Sequence, residues 1–147
     1  MLVKKRIESL VDLKEISIYL TELLKPNSYL LLQGDLGVGK TTLTQMIAQN
    51  FGIKEKVSSP TFNILQQHQI KEGYCLNHFD FFRLTNNDNL EIFHEFAADN
   101  LNIIEWPEKN PHFWQDKEYI FLKLFKEVSG NRIATIFFPN HKNKIQI

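Results

Sequence analysis

The run Gly34-Asp35-Leu36-Gly37-Val38-Gly39-Lys40-Thr41 has the spacing glycine, four residues, glycine, lysine, threonine. That spacing belongs to a phosphate-binding loop. With ordinary residue frequencies, a chain of this size contains it by chance with a probability of roughly 1% or less. Glycines let the backbone curl until successive N–H groups point at one anion. A helix starting directly behind the loop turns its positive end to the same point. Lys40 is then expected to reach the β- and γ-phosphates, and the Thr41 hydroxyl to join the shell of a Mg²⁺ ion. A plain glycine turn capping a helix is the competing reading, and the flanks weigh against it. Ahead of the loop, Tyr29-Leu30-Leu31-Leu32 is an apolar run of the kind buried on both faces of a sheet. Behind it, Leu43, Ile47 and Phe51 make a helical stripe that stops at Gly52.

Outward from the loop, Leu13, Ile16, Leu20, Leu23 and Leu24 form a second helical stripe, with Asp12 and Glu15 as its start signal and Lys25-Pro26 as its end. Two extended segments, Thr61 to Gln67 and Tyr74 to Phe79, flank a turn at Lys71-Glu72-Gly73. Asn86 to Ala98 reads as a short helix with Leu90, Phe93 and Ala97 on one side, and Leu101 to Ile104 as a buried strand. Tyr119 to Phe125 and Arg132 to Phe138 read as strands joined across Ser129-Gly130-Asn131. Strand–helix alternation in front and hairpin signals behind predict an α/β, P-loop NTPase-like fold with a mixed, largely parallel sheet flanked by helices. No repeat or linker interrupts residues 1–147, so one domain is expected.

The chain has 147 residues, 43% of them hydrophobic, with 17 Lys+Arg against 17 Asp+Glu and one cysteine, Cys75. A single cysteine rules out an internal disulfide, so nothing points to a secreted scaffold. Zero net charge argues against a free-standing nucleic-acid binder. No apolar run reaches the ~20 residues of a membrane helix, and no leader pattern is visible, so a cytoplasmic protein is expected. No His/Cys pairs have zinc-ligand spacing, and no structural zinc is expected. Cys75 reads as an inert buried thiol.

Phosphoryl transfer needs an acidic group for the metal and a group that places water. Asp80 follows Tyr74-Cys75-Leu76-Asn77-His78-Phe79, and Glu105 follows Ile103-Ile104. Ligands gather at the carboxyl ends of strands in open α/β sheets, which aims both carboxylates at the loop. Alternatively, Asp80 starts a turn or pairs with Arg83, and Glu105 makes a rim salt bridge. His78 and Asp80, two apart on a strand, share one face. Ser58-Ser59-Pro60-Thr61 reads as an ordinary turn or as a switch segment whose Thr61 senses the γ-phosphate.

The loop together with Ser59-Pro60-Thr61-Phe62, His78-Phe79-Asp80-Phe81-Phe82-Arg83-Leu84 and Ile104-Glu105-Trp106-Pro107-Glu108 resembles the TsaE (YjeE) family of small bacterial ATPases, over nearly the whole chain. The resemblance implies a Mg²⁺-dependent ATPase, slow by itself, required for threonylcarbamoyladenosine at position 37 of tRNAs reading codons that begin with A. It implies docking on the partner proteins TsaB and TsaD, which ATP turnover resets, with tRNA met only through that complex. Carried over by residue, Gly37, Val38, Gly39, Lys40, Thr41 and Thr42 would bind nucleotide, with Thr61, Trp106 and Arg132 close to it. Thr41 and Glu105 would serve Mg²⁺. Lys40, Asp80 and Glu105 would be catalytic, Asp80 ordering the attacking water or the ion's water shell.

Two positions depart from the family pattern: Phe82 stands where tyrosine is usual, and His94 where glycine is common. Aromatic residues at 79–82 and 93–96 are candidates for a partner surface, with core packing the preferred reading. Two other function classes fit the loop. A small-molecule or nucleotide kinase would need an arginine-rich lid, and Arg6, Arg83 and Arg132 are the only arginines. A nucleotide-gated adaptor would need occupancy but no hydrolysis. No Asn-Lys-x-Asp run follows the loop, so ATP is expected over GTP.

Overall fold

The computed structural model describes residues 1–58, 63–71 and 73–139. The element order is β1 (Leu2–Ile7), α1 (Leu10–Leu23), β2 (Tyr29–Gln33), α2 (Lys40–Asn50), β3 (Leu65–Lys71), β4 (Tyr74–Asp80), α3 (Phe93–Ala97), β5 (Leu101–Glu105), β6 (Tyr119–Lys126) and β7 (Arg132–Phe137). The strands form one seven-stranded sheet in the order β1-β7-β6-β2-β5-β4-β3. Its centre, β6-β2-β5-β4, is parallel, and both margins are antiparallel. This is the expected mixed α/β sheet, and β2, ahead of the loop, lies between two parallel neighbours.

Burial follows the two-residue alternation of a strand. Leu30 and Leu32 of β2 join the core formed with α1 and α2 through Leu20, Leu43 and Ile47. Tyr29 and Leu31 face the opposite side, an aromatic core of Phe79, Phe81, Phe113, Trp114, Tyr119 and Phe121. Phe113 lies at its centre, with ring centroids 5.2 Å from Phe79 and 5.5 Å from Phe81. Such edge and tilted contacts add to the area the rings bury. In the middle of β4 the buried Asn77 donates to Phe96 O and to Oδ1 of Asn102 on β5, tying α3 to the sheet.

Several boundaries differ from expectation. The N-terminal strand β1 was not anticipated, because Lys4-Lys5-Arg6 masks its alternation. It forms by pairing with β7, Leu2 opposite Phe137. Helix α1 starts one turn earlier than expected, capped by Ser9. The Ser9 hydroxyl accepts from Val11 N, while Asp12 Oδ2 accepts from the Glu8 and Ser9 N–H groups. Those backbone donors hold the Asp12 carboxyl below its ordinary pKa. Of the strand expected over Thr61 to Gln67, Thr61 and Phe62 lie outside the described residues, and β3 runs from Leu65 on to Lys71. Of the helix expected over Asn86 to Ala98 only Phe93–Ala97 is helical. Asn89 and Asp88 spend their side chains on local backbone N–H groups, at Glu91 and Thr85, which ends regular structure there. Cys75 is half-buried and contacts Gln69 Oε1. No helix among the described residues is long and apolar enough to cross a membrane.

Candidate functional site

Three carboxyl ends of parallel strands meet at one edge of the sheet. β2 ends at Gln33 and runs into the loop, β4 ends at Asp80, and β5 ends at Glu105, with Asp80 and Glu105 paired in register. β7 runs antiparallel to β6, so its first residue, Arg132, lies opposite Lys126 at that same edge. Together they border a cavity of about 560 Å³, lined among others by Gly37, Gly39, Lys40, Thr41, Thr42, Asp80, Glu105, Trp106 and Arg132.

Gly37 and Gly39 adopt φ of 75° and 120°, conformations that side-chain-bearing residues rarely take. Val38 is not on the lining. Its side chain packs into the core and its N–H donates to Asp35 O at 3.3 Å. Lys40 is only 5% exposed. Its ammonium donates to the carbonyls of Gly34 and Asp35 and sits 4.2 Å from the centre of the Trp106 ring. Loss of hydration pushes its pKa down, against the opposing pull of Glu105, Glu108, Asp80 and Asp35.

Trp106 holds that place through an unusual backbone. Its φ of 58° is left-handed, and its N–H donates to Leu32 O at 3.2 Å. Pro107 then starts a short 3-10 turn through Lys109. The Trp106 ring also packs on Phe82, centroids 4.9 Å apart. Phe82 therefore meets its neighbour ring to ring at a tilt of 52°, a contact that needs no tyrosine hydroxyl. His94 stacks on Phe113 at 4.5 Å within the regular helix α3, which accommodates it without a glycine.

Glu105 is 2% exposed and engaged at both oxygens. Thr41 Oγ1 donates to Oε1 at 2.9 Å, and His78 Nε2 lies 3.1 Å from Oε2. Glu105 is thus held in the interior between Thr41 and His78 rather than at the rim. Asp80 borders the cavity and also begins a turn, its Oδ1 accepting from Phe82 N at 2.9 Å. Thr61 lies outside the described residues. The sequence did not single out Asn63, Ile64 or Leu84 for this wall, nor the His78–Glu105 contact. The face shared by His78 and Asp80 was legible, but the neighbour across it depended on strand order.

The donor set suits a nucleotide polyphosphate with a hard dication. Thr41 offers a hydroxyl, Glu105 a carboxylate and Lys40 a cation, all beside glycines in anion-cradling conformations. No three His, Cys, Asp or Glu side chains among the described residues converge on one point. Thr41 and Glu105 are the residues that could hold a Mg²⁺ ion here, together with a phosphate ligand.

The family model for "Threonylcarbamoyl adenosine biosynthesis protein TsaE" matches residues 7–134. The chain is 42% identical over 81 residues to the tRNA threonylcarbamoyladenosine biosynthesis protein TsaE of Haemophilus influenzae, covering 53% of this chain and 51% of that one. It is 37% identical over 138 residues to the protein of that name from Rickettsia conorii, covering 92% and 77%. The Nostoc sp. protein of that name is 37% identical over 128 residues, covering 82% and 76%. Among solved structures, Bacillus subtilis YdiB superposes with a TM-score of 0.77 at 23% identity, over 97% of this chain and 88% of that one, which establishes the shared fold.

Proposed function

The chain belongs to the TsaE family of threonylcarbamoyl adenosine biosynthesis proteins, and on that premise we propose that it binds and hydrolyses ATP with Mg²⁺ in the loop cavity, in the service of that tRNA modification. The observation that carries the proposal is the 2.9 Å hydrogen bond from Thr41 to Glu105. It joins the end of the phosphate loop to a buried carboxylate at the next strand end, the pairing a metal–nucleotide site requires.

The chain's own groups divide the work. The loop N–H groups of Gly37, Val38, Gly39 and Lys40, with those of Thr41 and Thr42, bind the polyphosphate. For Val38 this means exchanging its bond to Asp35 for a phosphate oxygen. The Lys40 ammonium leaves the Gly34 and Asp35 carbonyls and lies along the β- and γ-phosphates, where it offsets charge as the terminal phosphoryl group departs. Thr41 and Glu105 would hold Mg²⁺, which would supply charge neutralisation for the polyphosphate. Asp80 orients the attacking water. Arg132 closes the cavity from the β7 side, and Trp106 backs the lysine. Thr61 acts as the γ-phosphate sensor.

Turnover is slow until partners complete the geometry, and the partners are TsaB and TsaD, on which this cytoplasmic single-domain protein docks. The modification goes to adenosine 37, and tRNA is met only within that complex. Lys40→Ala tests the reading. Its ATPase activity should fall at least 100-fold in the presence of TsaB and TsaD, with loss of the ADP-induced rise in melting temperature and a ligand-free melting temperature within a few degrees of the original. Steady-state hydrolysis surviving that change would overturn the catalytic assignment.

A further inference from the structure

His78 lies at 0% exposure within β4, and none of the roles above uses it. β4 and β5 run parallel with His78 opposite Ile103 and Asp80 opposite Glu105. The His78 ring therefore leans along the strand toward the loop to bring Nε2 within 3.1 Å of Glu105 Oε2. The other oxygen of that carboxylate, Oε1, accepts from Thr41 at 2.9 Å. One buried carboxylate is thus gripped by a neighbouring strand and by the helix behind the phosphate loop.

The protonation pattern follows from the inventory of donors. An ionised carboxylate only accepts, so the ring nitrogen facing it carries hydrogen. The remaining nitrogen, Nδ1, is buried with no partner among the described residues. An orphaned polar atom in a core costs free energy, and an aliphatic side chain would fill this position without it. The placement makes sense through the contact that Nε2 makes.

We infer that His78 is a positioning residue, whose Nε2–H pins Oε2 of Glu105 and so presents Oε1 to Thr41 and to the dication beside it. The inference rests on the metal–nucleotide reading above. Hydrogen-bond partners of this kind fix the direction of a carboxylate ligand, and their loss typically weakens metal binding by about 10–100-fold.

The test uses the full chain, ADP as nucleotide and Mn²⁺ as a spectroscopic stand-in for Mg²⁺. Electron paramagnetic resonance measures Mn²⁺ affinity of the ADP-loaded protein, and calorimetry in EDTA measures ADP affinity without metal. His78→Leu should lose about 10-fold or more in Mn²⁺ affinity, while metal-free ADP affinity stays within about twofold. His78→Gln, whose amide N–H reaches the same oxygen, should recover most of the loss. An equal loss with and without metal, unchanged Mn²⁺ affinity, or failure of His78→Gln to recover it would each overturn the inference. If His78→Leu does not fold, His78→Gln is compared with His78→Asn, whose shorter amide should behave as the defective form, and equal Mn²⁺ affinities count against the inference. Nitrogen-15 spectra of the ligand-free chain give an independent readout. Hydrogen on Nε2 of His78 is expected, and a neutral ring protonated at Nδ1 overturns the assignment. A wild-type chain whose ADP complex takes up no Mn²⁺ overturns the metal–nucleotide reading itself, and the inference with it.

Discussion

Gly34 and Gly37 serve the same loop under different constraints. A Cβ on Gly34 would stand 2.4 Å from the backbone carbonyl oxygen of Leu124 and 2.8 Å from a Val38 methyl, so β6 must shift to admit it. Gly37 has open space around it and is constrained only by its φ of 75°. Gly34→Ala should therefore lower stability by about 1–3 kcal/mol or more, as overpacking against a fixed backbone does. Gly37→Ala should cost about 1–2 kcal/mol through its left-handed backbone. Denaturant unfolding of the ligand-free chain separates them, and a Gly34→Ala protein as stable as the original would contradict the close approach. That the loop glycines, Lys40, Thr41 and the two strand-end carboxylates would border one cavity was legible in the sequence, because loop spacing and strand-end position are local properties. The stacking of Lys40 on Trp106 was not. It depends on a left-handed Trp106 backbone, which no local propensity favours.

At the scale of elements, β2 and α2 formed where the pattern placed them, because a doubly buried run and an amphipathic stripe are each written in a short window of sequence. Helix α1 was legible as a stripe, but its cap was read one turn late. Ser9 and Asp12 form a reciprocal capping box, and the side chain of Ser9 takes up the N–H of Val11. Ser9→Ala should cost about 1 kcal/mol in thermal or denaturant unfolding, and no change would mean the cap is carried by Asp12 alone. Strand β1 is the opposite case. Its residues carry three consecutive basic side chains, and the strand it pairs with, β7, follows more than a hundred positions later. Pairing of that kind is decided by tertiary context, which overrides weak local preference. Of the aromatic residues weighed as a partner surface, Phe79 and Phe81 are core, while Phe82 and Phe96 are 43% and 42% exposed.

For the whole molecule, the balance of 17 basic and 17 acidic residues bears on how it meets RNA. Affinity for a polyanion comes chiefly from neutralised phosphates and released counterions, which a chain without basic excess cannot supply. A family member concerned with tRNA can be neutral if its own ligands are a nucleotide and other proteins. Filter binding at physiological salt should give only weak retention of tRNA by this chain alone, and tight binding without partners would count against the proposed role. Composition and motif spacing determined the fold class, the glycine loop ahead of α2 and the strand-end positions of both carboxylates, since residue identity and period are local properties. The strand order β6-β2-β5-β4 was decided only in three dimensions. It sets Glu105 between Thr41 and His78, and the antiparallel return of β7 brings Arg132 to the same rim. Those contacts join residues 27 and 64 positions apart. Closing chain loops of such length is favourable only when the whole sheet forms at once, and no local window contains that information.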